Sequence, residues 1–203
     1  MVSPGRPRTF DRELALKKAM HVFWEKGYEG ATMSELIAAI GMKAPSIYAA
    51  FGNKDALFAE VVNMYAVIVQ KGPLKALVET PGIYQAMESA LQQNVALISN
   101  PENPPTCLIM SAAINCTPDN QGHIESLRNL RSAYKKVLLQ RFNQAVADKE
   151  LVAEANPQEL AEFYMTIVQG LALRARDGMD KAQLEASSRT ALSLLKPLLT
   201  KKN

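Results

Sequence analysis

The sequence predicts an all-α fold, and three observations carry that expectation. Apolar residues recur at i, i+3, i+4 and i+7 through segment after segment. No stretch of useful length alternates apolar and polar residues as a half-buried strand does. The segment ends carry helix punctuation: Thr and Asn caps, glycines at C-terminal ends and prolines in first turns.

Residues 1–9, MVSPGRPRT, hold two prolines, a glycine and two arginines without apolar periodicity, which predicts an irregular arm. From Asp11 to Lys26 a helix is expected, with Ala15, Leu16, Ala19, Val22 and Phe23 on one face and Gly27 at its end. Thr32 followed by Glu35 is a capping box, in which the hydroxyl takes an amide of the first turn and the carboxylate reaches back to the cap's own N–H. Met33, Leu36, Ile37 and Ile40 share the buried face of that helix, and Gly41 ends it. Pro45 suits the first turn of the next helix, whose apolar edge is Ile47 and Phe51.

Asn53 caps a longer helix, expected to stop at Gly72-Pro73, and Thr80-Pro81 starts another with Ile83, Met87, Ala90, Leu91 and Ile98 inward. NPENPP at 100–105 cannot be helical, whereas Cys107 to Cys116, apolar throughout, predicts a short buried helix. Pro118 to Gly122 breaks the chain before a long helix that Ile124, Leu127, Leu130, Tyr134, Val137 and Leu138 open, ending near Lys149. Asn156, Pro157 and Glu159 together start a helix with Leu160, Phe163, Tyr164, Ile167 and Leu171 at helical spacing, closed by Asp177-Gly178. The last helix begins near Lys181 and carries Leu184, Ala191, Leu192, Leu195 and Leu198.

Within this series, residues 32–54 have a specific task. Two short helices joined tightly at a glycine are the pattern of a helix-turn-helix, whose second helix enters the DNA major groove. The chain has 203 residues, a net charge of +3 and 48% apolar residues, ordinary for a globular protein and compatible with a nucleic-acid partner. Cys107 and Cys116 are too few for a disulfide scaffold, and no CxxC occurs. No signal peptide or membrane-spanning run is present, so a cytoplasmic location without membrane contact is expected. No P-loop, GxGxxG, GxSxG or HExxH is found, which argues against an enzyme. His123, read as lying in a turn, and His21, alone on the first helix, have no metal-ligand partners; no metal or cofactor is expected.

Residues 10–60 resemble the DNA-binding domain of the tetracycline-repressor (TetR) family of bacterial transcription regulators. The resemblance rests on Gly5 to Arg8, Ala19 to Phe23, Gly27-Tyr28, Thr32 to Ala38, Gly41-Met42, Ser46 to Phe51 and Asn53 to Leu57. It implies about nine helices, a DNA-binding domain over 1–53 and an effector-binding and dimerisation domain over 54–203. It further implies a homodimer through the two C-terminal helices, a double-stranded operator as partner, and a small-molecule effector. Thr32, Lys43, Ala44, Pro45, Ser46, Tyr48 and Ala49 match DNA-facing positions, Lys54 a phosphate contact, and Arg6 and Arg8 a groove-reaching arm. The chain departs from many members at Ala49-Ala50, where a large polar or aromatic pair is common, so the arm and Lys43 are expected to carry more of the readout.

For the effector, Met64, Tyr65, Ile68, Cys107, Met110, Tyr134, Phe163 and Ile167 are the expected lining, and the scarcity of charge on these faces predicts an apolar or aromatic molecule. Two alternatives remain open at this point. One is a thiol-based redox or electrophile sensor through Cys107 and Cys116; the other is an all-α interaction protein with an incidental helix-turn-helix.

Overall fold

The computed structural model describes residues 11–200, so Arg6 and Arg8 lie outside the described residues. Within them the chain forms α1 (Arg12–Gly30), α2 (Met33–Ile40), α3 (Ala44–Phe51), α4 (Lys54–Val69), α5 (Lys75–Glu79), α6 (Ile83–Ile98), α7 (Leu108–Ser111), α8 (Gln121–Ala147), α9 (Pro157–Arg176) and α10 (Lys181–Ser193). Helix α4 is joined to α5 by the turn Gln70–Leu74, kinked at Gly72 (φ −98°, ψ −107°), so the two form one bent rod and the described fold has nine rods. The β-pairing among the described residues is an isolated antiparallel bridge between Leu151 and Leu199. No described helix is long and apolar enough to cross a membrane.

Local chemistry explains most boundaries. The Thr32 hydroxyl accepts the Glu35 N–H at 3.2 Å, and the Glu35 carboxylate accepts the Thr32 N–H at 3.0 Å, completing the capping box. Gly41 closes α2 in the left-handed region at φ 78°, where a Cβ would be strained. Asn53 accepts the Ala56 N–H at 2.9 Å and Asn156 those of Gln158 and Glu159 at 3.1 and 3.3 Å, opening α4 and α9. A second capping box, Asp180 with Gln183, opens α10 and was not anticipated.

Four expectations change. Helix α1 does not end at Gly27; the residue breaks the helical path (φ 72°, ψ 176°) and one more turn follows to Gly30. At Gly72 the helical path breaks (φ −98°, ψ −107°), where the sequence expects a stop, and a kinked turn carries the chain into α5. Helix α6 begins at Ile83, whose N–H the distant Glu150 carboxylate accepts. The Cys107–Cys116 segment is helical only over Leu108–Ser111: the Ala112 carbonyl accepts the Tyr28 N–H at 2.6 Å and is not free to continue the helix. His123 sits in the first turn of α8, where it bonds Asp55 at 3.0 Å.

One contiguous core runs through the whole described chain. At the N-terminal end Phe23 of α1 and Phe58 of α4 meet edge-on at 5.0 Å, with Leu36 of α2 and Ile47 of α3 fully buried beside them. At the other end α8 packs along α9, and α6 against α10 and α9.

Candidate DNA-reading surface and effector cavity

The surface of α3 is set by its amphipathic register. Ile47 and Phe51 are buried, which leaves Ser46 and Ala49 exposed and Tyr48 48% exposed on the opposite side. Lys43 and Pro45 are exposed at the N-terminal end, and Ala44 is half-buried there. These six predicted residues therefore occur together along one short helix and its entry. Thr32 is exposed at the start of α2, but its hydroxyl is engaged with Glu35 in the capping box. Lys54 is half-buried with its ammonium 4.2 Å from the Tyr28 ring centroid, a cation–π contact that fixes the side chain at the start of α4.

Charged residues around it brace this unit. Arg12 pairs with Glu60 at 2.7 Å and lies over the Phe51 ring at 4.8 Å, tying α1 to α3 and α4. Lys18 donates to the Ile40 carbonyl at 3.1 Å, satisfying the C-terminal end of α2. Lys26 bonds Glu35 at 2.6 Å; that contact and the Thr32 amide hold the Glu35 carboxyl down to about 2.

The junction with the rest of the chain is polar and specific. Trp24 donates its indole N–H to the Thr106 carbonyl at 3.0 Å, and His21 bonds the Glu102 carbonyl at 3.0 Å. Glu29 accepts from the Thr117 amide and hydroxyl at 2.7 and 3.0 Å and from Asn120 at 2.8 Å; these bonds keep its carboxyl below the usual range. Asp55 accepts from the Tyr28 hydroxyl and bonds His123, so α1, α4 and α8 meet at one carboxylate. The one sequence signal for this contact was Gly27: a Cβ there would lie 3.1 Å from the Ala112 carbonyl oxygen.

A cavity of about 260 Å³ lies between the end of α4, α6, α7, α8 and α9. Cys107, Met110 and Tyr134, expected from the sequence, line it beside Val69, Leu74, Leu97, Val137 and Val168. The other five expected residues lie elsewhere. Tyr65 is fully buried with its ring edge-on to Trp24 at 4.8 Å, and Phe163 packs edge-on to Tyr164 at 5.1 Å. Ile68 is exposed, and Met64 and Ile167 are half-buried against the core. Missed by the sequence reading were Asn94 and Arg131, polar residues in the cavity wall. Burial pushes the Cys107 thiol up, and Cys116, away from the cavity, is pushed up by burial and by Glu29.

Comparison with known proteins agrees with this arrangement. Residues 15–61 match the family described as bacterial regulatory proteins, tetR family, and residues 85–191 match a tetracyclin repressor-like C-terminal domain. The chain is 33% identical over 196 residues to the HTH-type transcriptional repressor ComR of Escherichia coli K12, covering 95% of this chain and 92% of ComR. It is 26% identical over 201 residues to the repressor BdcR of the same organism, covering 97% and 94% of the two chains. Among solved structures, a cysteine mutant of the TetR family regulator CifR, complexed with 26-bp double-strand operator DNA, superposes with a TM-score of 0.87 at 35% identity, covering 93% of this chain and 98% of that one. The chain therefore belongs to the TetR family of bacterial transcriptional regulators, DNA-binding proteins rather than enzymes.

Proposed function

We propose that the chain is a homodimeric repressor that leaves its operator when a small, largely apolar molecule fills the cavity behind α4. The observation that carries this reading is the path of α4. Asn53 begins that helix directly after α3, while Ala66, Val69 and Gln70 at its far end stand in the cavity wall. A ligand touching the last turn therefore acts on the rod that bears the DNA-reading helix. It shifts the equilibrium only by its differential affinity for the two positions of that rod. On this reading residues 1–53 form the DNA-binding domain and residues 54–203 the effector and dimerisation domain.

DNA contact follows from the exposed side of α3. Lys43 reaches a base edge or phosphate, the Ala44 and Ala49 methyls suit a thymine methyl, and Tyr48 and Ser46 reach the backbone. With alanines at 49 and 50 the helix alone reads few bases, so Arg6 and Arg8 in the minor groove complete the site. Dimerisation uses the outer faces of α9 and α10, where Leu173 and Leu194 are exposed and nothing crowds Gly170. Two copies place their α3 helices on successive major grooves, ~34–36 Å apart. That CifR is complexed with operator DNA, and that ComR and BdcR are repressors, supports this reading.

Selection of bound duplexes from a random pool tests it: a palindromic site with half-sites about one helical turn apart is expected, with affinity falling steeply in salt. Enrichment of no sequence would sink the proposal. The thiol-sensing alternative keeps one supporting observation, the position of Cys107 in the cavity wall. It ranks second because burial disfavours the thiolate that oxidant or electrophile must meet. Cys107→Ser abolishing release by an electrophile would promote it.

A further inference from the structure

Among the described residues, the cavity wall contains a cation without an anion. Arg131 is half-buried there, and its Nη1 donates to the Ile109 carbonyl at 2.7 Å, which anchors the guanidinium. A guanidinium has five N–H donors, so most remain available after that bond. Among the described residues the groups acting on it are the Arg128 cation and the Cys107 thiol, which burial keeps neutral, with no carboxylate among them. Burial and Arg128 both work against its charge, a cost that a bound anion would relieve. Arg141, on the same helix and also half-buried, has its acid: both oxygens of Glu150 lie at 3.3 Å.

A second polar group stands in the same cavity wall. Tyr134 follows Arg131 by three residues on α8 and so shares its face. Asn94 Nδ2 donates to the Ala90 carbonyl at 2.8 Å and to the Tyr134 hydroxyl oxygen at 2.9 Å. The Ala90 carbonyl fixes which amide atom is nitrogen, so the tyrosine oxygen is an acceptor in that pair. Its own O–H proton remains free for a ligand oxygen, and the group is 6% exposed. Burial raises the Tyr134 hydroxyl to about 12, so it stays a donor at neutral pH.

We propose that the effector is a small monoanion, an apolar carboxylate whose oxygens are held by Arg131 and Tyr134 while its hydrocarbon body fills the cavity. This rests on the reading of the cavity as the effector site. One charge is the limit, because Arg131 is the single ionic side chain of the wall. The volume of about 260 Å³ corresponds to about nine water-sized groups at ~30 Å³ each, which suits six to nine heavy atoms.

The test uses the full chain and four probes, hexanoate and benzoate against hexanamide and benzamide, titrated by calorimetry and against the selected operator duplex. The carboxylates are expected to bind at least about tenfold more tightly than their amides, since charge-assisted bonds are roughly twice as strong as neutral ones. Arg131→Gln should bring each carboxylate down to its amide's affinity, Arg131→Lys should restore part of the preference, and Tyr134→Phe should weaken it. Leu97→Trp, which fills the cavity, should abolish binding of all four; circular dichroism checks that each variant is folded. If Leu97→Trp blocks the probes but carboxylate and amide bind alike, or Arg131→Gln keeps the preference, the anion assignment is overturned and the cavity reading stands. If Leu97→Trp leaves binding unchanged, the cavity reading fails and the assignment with it. No binding of either carboxylate at millimolar concentration also overturns it.

Discussion

Removing the indole donor of Trp24 should loosen the seam between α1 and the rest of the chain. Trp24 is the chain's single tryptophan, 2% exposed, bonded to the Thr106 carbonyl at 3.0 Å and edge-on to Tyr65 at 4.8 Å with an 80° interplanar angle. Trp24→Phe keeps an aromatic ring in the site but leaves the buried Thr106 carbonyl without its donor, a loss of about 1–3 kcal/mol. The weaker edge-to-face contact adds about 0.5–1.5 kcal/mol. The sum is about 1.5–4.5 kcal/mol, and at about 2–4 °C per kcal/mol for a chain of this size the melting temperature should fall by about 3–18 °C. Thermal and urea unfolding followed by circular dichroism measure it, with the wild-type tryptophan fluorescence as a second probe of the same seam. A variant within about 0.5 kcal/mol of wild type, the range of an ordinary surface substitution, would refute the claim that this contact holds that seam.

Other outcomes follow from the same geometry. Thr32→Ala breaks the capping box of α2 and should cost about 1 kcal/mol in chemical denaturation; a change below a few tenths would contradict the hydrogen bonding described. Lys43→Ala should weaken DNA binding and, if the ammonium meets a phosphate, reduce the slope of log affinity against log salt by about 1; an unchanged slope with altered base preference would place it on a base instead. The Glu35 carboxyl is depressed from 4.5 to about 2, so its stabilising contribution is present above 4.5 and is lost as pH falls towards 2. Stability measured over that range should drop less steeply in Glu35→Gln than in wild type, and parallel curves would show that the Lys26 and Thr32 contacts do not form in solution.

The sequence reading succeeded where the information is local. A cap needs one side chain and one turn, so Thr32, Gly41, Asn53 and Asn156 could be read directly, and the 3.6-residue period separated Ile47 and Phe51 from Ser46, Tyr48 and Ala49. It failed where a distant group decides. The Ala112 carbonyl is taken by Tyr28, which truncates α7, and Glu150 supplies the N-terminal partner that α6 lacks in its own sequence. Periodicity also says which residues point inward, not where the interior is hollow. Tyr65 and Phe163 therefore looked equivalent to Tyr134, though the first two pack against aromatic neighbours and only Tyr134 reaches the cavity. Arg131 was passed over because a charge on a helix is ordinarily a solvated one.

The central claim is that two copies of α3 are held at groove spacing by the terminal helices and released through α4. Spin labels at Lys17→Cys, exposed on α1 and outside the proposed DNA contacts, in a Cys107→Ser, Cys116→Ser background report that spacing between protomers by pulsed electron resonance. With the selected operator bound, a single narrow distance corresponding to about 34–36 Å between recognition helices is expected, and it should move away from that value when a cavity ligand releases the DNA. An absence of any inter-protomer distance would contradict the dimer. A spacing that stays fixed while ligand releases the DNA would contradict the coupling through α4.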